Sequence, residues 1–259
     1  MKSWLRQARD FFRRRGSAEA SDGYAIVSAD VARNIQPDAP DTGGWHHTAV
    51  AWRQDAAYRE LLTEMRQGRP RKDLVTAAEA IRQTHVAAAS VLEVGCGSGY
   101  YADVIAYLTR RQLRYVGIDS SRPMIQLARD ASSTHDFVIA DAIALPFKAS
   151  TFDIVFNGVS LMHIMRYEAA IAESRRVSRR WCIFHTVPLV RRRPTTFLRK
   201  LAYGHPVLEV IFNDEEFRSL LVREGFVVRS ILESIPYDLQ TVLGEPSWTS
   251  TFVCEASNR

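Results

Sequence analysis

The chain is poor in cysteine, in lysine and in long apolar runs, and each shortage removes a class of answer. Three cysteines in 259 residues, Cys96, Cys182 and Cys254, are too few and too scattered for a disulfide framework or a zinc cluster. They point to a reducing, cytoplasmic setting, and no metal site is expected. No apolar run approaches the roughly 20 residues that a membrane span needs. The charged N-terminus has no apolar core behind it, so no signal peptide is expected. Only four of the 34 basic residues are lysine (Lys2, Lys72, Lys148 and Lys200), which we read as a genomic bias rather than a chemical one. With 46% hydrophobic and 24% charged residues, the composition fits neither a disordered chain nor a uniformly basic nucleic-acid binder.

The net charge of +5 resides in residues 1–15, and the rest of the chain is neutral in sum. There Trp4, Leu5, Ala8, Phe11 and Phe12 fall on one face of a helix and arginines on the other. Such a helix can lie on an anionic membrane surface, a peripheral contact at the inner face, or dock on its own domain. Residues 16–44, with Gly16, Gly23, Gly43, Gly44, Pro37 and Pro40, read as a flexible linker. Residues 45–72 read as a helical cap centred on Val50–Met65, followed by a helix capped by Asp73 and running to about His85.

From residue 90 strands and helices alternate. Strands are expected at Ser90–Val94, Arg114–Ile118, Phe137–Ala140, Phe152–Asn157, Trp181–Thr186, Phe226–Leu232 and Thr249–Glu255. Helices fall between most of them, one of them opening near Pro123 with Ser121 as its cap. The last two strands have no helix between them, so the final strand is expected to be antiparallel. The expected fold is α/β: a Rossmann-like three-layer sandwich with a mostly parallel seven-stranded sheet, within a domain over 73–259 and an N-terminal helical extension. Residues 187–212 read as a long loop inserted in that domain.

The informative segment is Val91-Leu92-Glu93-Val94-Gly95-Cys96-Gly97-Ser98-Gly99-Tyr100, a strand that enters a glycine turn and leaves in a helix. Glycines at 95, 97 and 99 let the backbone bend sharply and let a ligand approach without a Cβ in the way. The relaxed dinucleotide fingerprint fits from Gly97 to Ala102, with Asp119 at the ribose-carboxylate spacing. That register does not follow its strand at once and leaves Glu93 unexplained. No Gly-Lys-Ser/Thr follows, so the turn is not a nucleoside-triphosphate loop.

The same residues resemble the class I S-adenosylmethionine-dependent methyltransferases. Glu93, Gly95, Gly97 and Gly99 match the first motif of that family, and Asp119, ending the next strand, matches the second. Asp141 matches the third, and Leu145-Pro146-Phe147 leads into Thr151-Phe152-Asp153-Ile154-Val155 as in the family. Ser160-Leu161-Met162-His163-Ile164 and Glu224-Gly225-Phe226 extend the resemblance over roughly 73–255. It implies S-adenosylmethionine as cofactor, with contacts from Glu93, Gly95, Cys96, Gly97, Gly99, Asp119, Ser120, Met124, Asp141, Ala142 and Asn157. Asp119 is the expected ribose acceptor and Asp141 the adenine-amine acceptor.

On the acceptor side, His163 and His185 are the candidate bases, because each lies at or just past the end of a parallel strand. Trp45, Trp52, Tyr58, Lys200, Tyr203, His205 and the run Arg191-Arg192-Arg193 are candidates for the acceptor pocket. Residues 157–160 read Asn-Gly-Val-Ser, without the Asn/Asp-Pro-Pro-aromatic pattern of amino-methylating DNA enzymes, and no Pro-Cys nucleophile follows a strand. DNA is not expected as a partner, nor is RNA. The expected acceptor is a small metabolite, a sugar or a lipid-linked glycan, methylated at oxygen. An RNA methyltransferase and a non-catalytic methyltransferase-like scaffold are the alternatives.

Overall fold

The computed structural model describes residues 21–34, 43–86 and 89–257. The expected basic helix within 1–15 lies outside them. Seven strands form the central sheet: β2 (Ser90–Val94), β3 (Arg114–Asp119), β4 (Asp136–Ile139), β5 (Phe152–Gly158), β6 (Ser178–Val190), β9 (Phe226–Glu233) and β10 (Trp248–Ala256). Their order is β4-β3-β2-β5-β6-β10-β9. All neighbours are parallel except at β10, which lies antiparallel between β6 and β9. The chain proceeds outward from β2 to β4 on one side and from β5 to β6 on the other. The carboxyl ends of β2 and β5 therefore flank a crevice, the place where open α/β sheets bind ligands.

The central strands are buried on both faces, and their successive side chains enter two core layers in turn, as the period of two requires. Val91, Ile154, Phe156, Ile183 and Val253 face helices α3 (Lys72–Gln83), α4 (Tyr100–Thr109) and α5 (Arg122–Ala131). Leu92, Val94, Val155, Phe184 and Phe252 face α6 (Tyr167–Val177) and α7 (Asp214–Arg223). The three-layer sandwich is thus present as expected. Helix α2 (Thr48–Arg66) is the expected cap helix and packs on α4 and α5.

Two expectations fail. Residues 187–212 are not a loop: β6 runs on to Val190, and β7 (Thr196–Ala202) and β8 (His205–Asn213) follow as a hairpin. The hairpin closes through Tyr203-Gly204, both at positive φ (53° and 81°), the geometry of a two-residue turn whose twist matches its strands. The supposed linker contains β1 (Ser21–Val27), paired antiparallel with β7, and the short helix α1 (Ala29–Asn34). Because the end of β6 pairs with β8 at Leu189 and Val190, the three extra strands extend the sheet to ten rather than seven. Composition misled at both places. Arg191-Arg192-Arg193-Pro194 breaks the strand pattern between β6 and β7, and Asp22 and Gly23 sit within β1 itself.

Asp73 does not cap α3. The helix starts after Arg71, and the Asp73 carboxylate instead takes two hydrogen bonds from the Arg71 guanidinium, at 2.7 and 2.6 Å. Ser121 occupies the N-cap of α5, but its hydroxyl donates to the Trp45 carbonyl (2.8 Å), tying the cap segment to the core.

Candidate functional site

A cavity of about 1510 Å³ opens over the carboxyl ends of β2, β3 and β5. Its floor is the glycine turn. Gly95 and Cys96 both donate their amides to the Ile118 carbonyl (2.8 and 2.9 Å), which folds the turn back over β3. Gly95 has φ +73°, and a Cβ there would lie 2.3 Å from the Ser160 Cβ, so glycine is required by conformation and by space. At Gly97 a Cβ would meet only the Met124 sulfur at 4.0 Å, which leaves that stretch of backbone open to a ligand.

Asp119 holds the turn from the next strand. One carboxylate oxygen accepts from the Gly97 amide (2.9 Å) and the other from the Ser121 amide (2.8 Å). Burial raises its pKa, while the two amides and the nearby His46 pull it back. Each oxygen keeps a lone pair for a further donor, which suits a pair of vicinal hydroxyls. Ser120, Met124, Asp141 and Ala142 line the adjoining wall. One Asp141 oxygen accepts from the Ile143 amide (3.1 Å), and the residue is otherwise exposed. Trp45 closes the wall opposite; its buried indole N–H finds no partner among the described residues.

Not every expected residue reaches the cavity. Glu93 is fully buried beneath the turn, where Tyr115 donates to one oxygen; the other faces Gly158 without a partner. Burial pushes its pKa well up, against the pull of the Tyr115 hydrogen bond. Asn157 is a second correction. It follows Phe156 on β5 and so faces the opposite layer, 3.4 Å from the Ser174 hydroxyl on α6. Gly99 does not line the cavity either; it is the N-cap of α4, and a Cβ there would strike Phe137 at 2.7 Å. The Cys96 thiol is buried and its pKa raised, so it serves as turn packing rather than as a nucleophile.

The two histidines separate sharply. His185 is 2% exposed, with Nδ1 on the Thr251 hydroxyl (2.8 Å) and Nε2 on the Thr186 hydroxyl (3.1 Å). Its ring packs against Phe156 and Tyr101. Burial lowers its pKa to about 4. With both nitrogens engaged and no face on the cavity, it is a core residue, and the candidate role as base falls to His163. His163 lines the cavity, and its Nδ1 lies 2.9 Å from the Leu208 carbonyl. A carbonyl only accepts, so Nδ1 carries the proton and Nε2 keeps its lone pair. Burial, helped by the Lys200 ammonium, lowers its pKa to about 4.

The remaining acceptor candidates also divide. Trp45, Tyr58, Lys200 and Tyr203 line the cavity, whereas Trp52 is 64% exposed on the outer face of α2. His205 stacks with His47 away from the cavity (ring centroids 4.5 Å). The arginine run is no clamp on this cavity: none of the three lines it, the Arg193 guanidinium donates to the Leu243 carbonyl (2.8 Å), and the three backbone amides close around the Glu245 carboxylate (3.3, 3.0 and 2.7 Å). Sequence reasoning missed Arg71, which the Asp73 fork holds on the cavity wall beside Tyr58 and Tyr100. It also missed Glu209 and Tyr237. The Arg-x-Asp spacing was a readable signal for the first; the other two had none.

The residues 92–184 match a family model described as a methyltransferase domain. They hold a class I methyltransferase domain. The cavity fits S-adenosylmethionine: Asp119 would hold the ribose hydroxyls and Asp141 the adenine amine, with Met124 and Ala142 beside the base and the open backbone at Gly97. The chain is 34% identical over 91 residues to a malonyl-[acyl-carrier protein] O-methyltransferase of Salmonella typhimurium, covering 35% of each protein. It is 27% identical over 169 residues to an O-methyltransferase of Penicillium expansum, covering 62% of this chain and 60% of that one. The match thus spans a third to three-fifths of the length of these relatives. The 1,6-didemethyltoxoflavin-N1-methyltransferase of Burkholderia thailandensis superposes on 91% of this chain and 95% of its own, with a TM-score of 0.56 and 17% identity. That likeness extends the fold beyond the matched methyltransferase domain. Among the described residues, no helix is long and apolar enough to cross a membrane.

Proposed function

We propose that the chain transfers a methyl group from S-adenosylmethionine to a hydroxyl oxygen of a small acceptor: a metabolite, a sugar or a lipid-linked glycan. The observation that carries this reading is His163, a neutral imidazole on the cavity wall whose Nδ1–H is committed to the Leu208 carbonyl and whose Nε2 lone pair is available. When bound, the cofactor supplies a methyl group made electrophilic by its sulfonium. The chain has three tasks. The glycine turn, Asp119 and Asp141 hold the adenosine; Trp45 and α2 cover the crevice and exclude water; His163 Nε2 takes the hydroxyl proton. Positioning and general-base catalysis of this kind contribute, the second alone, about 10²–10⁴ in rate. The O-methyltransferase names of the Salmonella and Penicillium relatives support oxygen as the accepting atom.

The test is to incubate the full chain with S-adenosylmethionine carrying a ¹³C methyl and a small-molecule extract, then to read the labelled product by NMR. An O-methyl carbon signal that is lost in His163→Ala, with cofactor affinity retained, is the expected result. Label on nitrogen or in an RNA fraction would overturn it.

A further inference from the structure

Beyond the matched domain, the accessory strands bring one cluster of ionisable side chains to the cavity. Lys200 on β7 forms an ion pair with Glu209 on β8. Tyr237, from the loop after β9, donates to Glu209 (2.5 Å) and stands 3.5 Å from Lys200 Nζ. Tyr24 on β1 lies 3.2 Å from the Tyr237 hydroxyl. Lys200 is 6% exposed, Glu209 0% and Tyr237 5%, yet Lys200 and Tyr237 line the cavity that also holds His163. A buried ion pair is weak support for stability, since its desolvation offsets most of the attraction. Ionisable groups brought together in a cleft point instead to a ligand.

Resting on the methyltransferase reading, we propose that Lys200 and His163 together form the recognition site for an acidic hydroxyl of the acceptor, of the phenol or enol class. The ammonium has three N–H donors, of which Glu209 and Tyr237 engage two among the described residues. The third is left for an acceptor oxygen in the cavity that Lys200 lines. His163 Nε2 offers the reverse, a lone pair for a donor. A group that accepts from one and donates to the other is a hydroxyl. An alkylammonium has nothing to accept the Lys200 hydrogen bond and is repelled by its charge. As the O–H proton leaves for His163 Nε2, the negative charge left on oxygen stays beside Lys200. Glu209, Tyr237 and Tyr24 are the other ionisable groups facing the ammonium, and Glu209 is the one that offsets its charge.

The probe is 4-nitrophenol, whose phenolate is coloured, titrated into the full chain saturated with S-adenosylhomocysteine. Bound nitrophenol should ionise at lower pH than free nitrophenol, and 4-nitroaniline should bind more weakly. Lys200→Met should weaken nitrophenol binding about tenfold to a hundredfold, the loss of a hydrogen bond to a charged group, and cancel the pH shift. Because this variant strands Glu209, Lys200→Met/Glu209→Gln is measured beside it, with S-adenosylhomocysteine affinity as the control for folding. The proposal is overturned if the folded double variant binds nitrophenol like the unchanged protein, or if the unchanged protein does not bind it at millimolar concentration. Loss of S-adenosylhomocysteine binding by the unchanged protein would instead break the methyltransferase reading.

Discussion

The cofactor side and the acceptor side of the cavity are built by different rules. On the cofactor side, the turn at Gly95–Gly99, Asp119 and Asp141 lie at the ends of three neighbouring parallel strands; Asp119 and Asp141 each accept from an amide two residues on, and Asp119 also from the Gly97 amide 22 residues before it. On the acceptor side, Trp45, His163, Lys200 and Tyr237 come from four separate stretches, and most of their partners are more than 25 residues distant in sequence. The domain match over 92–184 takes in the cofactor side and His163, but not Trp45, Lys200 or Tyr237.

The largest expected effect tests the cofactor side. Asp119→Ala removes the acceptor of two turn amides and of the ribose hydroxyls. At about 1.5–3 kcal/mol for each hydrogen bond to a charged group, affinity for S-adenosylhomocysteine should fall about a hundredfold or more by calorimetry. Nitrophenol binding at the opposite wall should change far less. Equal losses at both walls would erase the distinction drawn between them.

Lys200→Met tests the acceptor side in the same way. It leaves the Glu209 carboxylate buried beside Tyr237 alone, which should cost roughly 3–5 kcal/mol of stability by urea unfolding, and Glu209→Gln in the same chain should restore much of it. A single variant as stable as the unchanged protein would show that the pair is not desolvated.

His185 and His163 sharpen the comparison through pH. Both have their pKa lowered to about 4 by burial, against about 6.5 in the unfolded chain. Below pH 6.5 the unfolded state binds the proton that the folded state refuses, so stability is full above that pH and falls until about pH 4. For His185, which is nearly inaccessible, the loss should be roughly 3 kcal/mol over this window. Urea midpoints measured from pH 7.5 downward should fall less steeply in His185→Gln. The same slope in both proteins would place the acid sensitivity elsewhere.

The smallest effect should come from Asp141→Ala. Its carboxylate is exposed, so solvent competes for the hydrogen bond it offers to the adenine amine, and affinity for S-adenosylhomocysteine should drop by about tenfold or less. No drop would remove Asp141 from the cofactor site.

What could be read in the sequence follows the same division. Strand-to-helix alternation, the antiparallel last strand, the glycine turn, Asp119 and Asp141 were all legible, because residue type, period and conformational preference act over a few positions. Ser21–Val27 and Thr196–Asn213 were not legible as strands: β1 finds its partner β7 only about 170–180 residues away, and the β7–β8 hairpin lies behind an arginine run that breaks the strand pattern.

By itself, the amino-acid sequence determined the order of the elements, the position of the crevice and the two carboxylates at its edge. Only the tertiary structure decided which side chains face it. Glu93 and Asn157 sit at the right strand ends, but the two-residue alternation of the sheet and the burial beneath the turn direct them away. His163 follows β5, whereas β6 continues past His185 to Val190, so His185 is enclosed by Thr186, Thr251 and Phe156 while His163 meets the cavity. Tyr237 joins Glu209 and Lys200 from 28 and 37 residues away, and the burial that isolates the three, unlike local preference, exists only once the chain has folded.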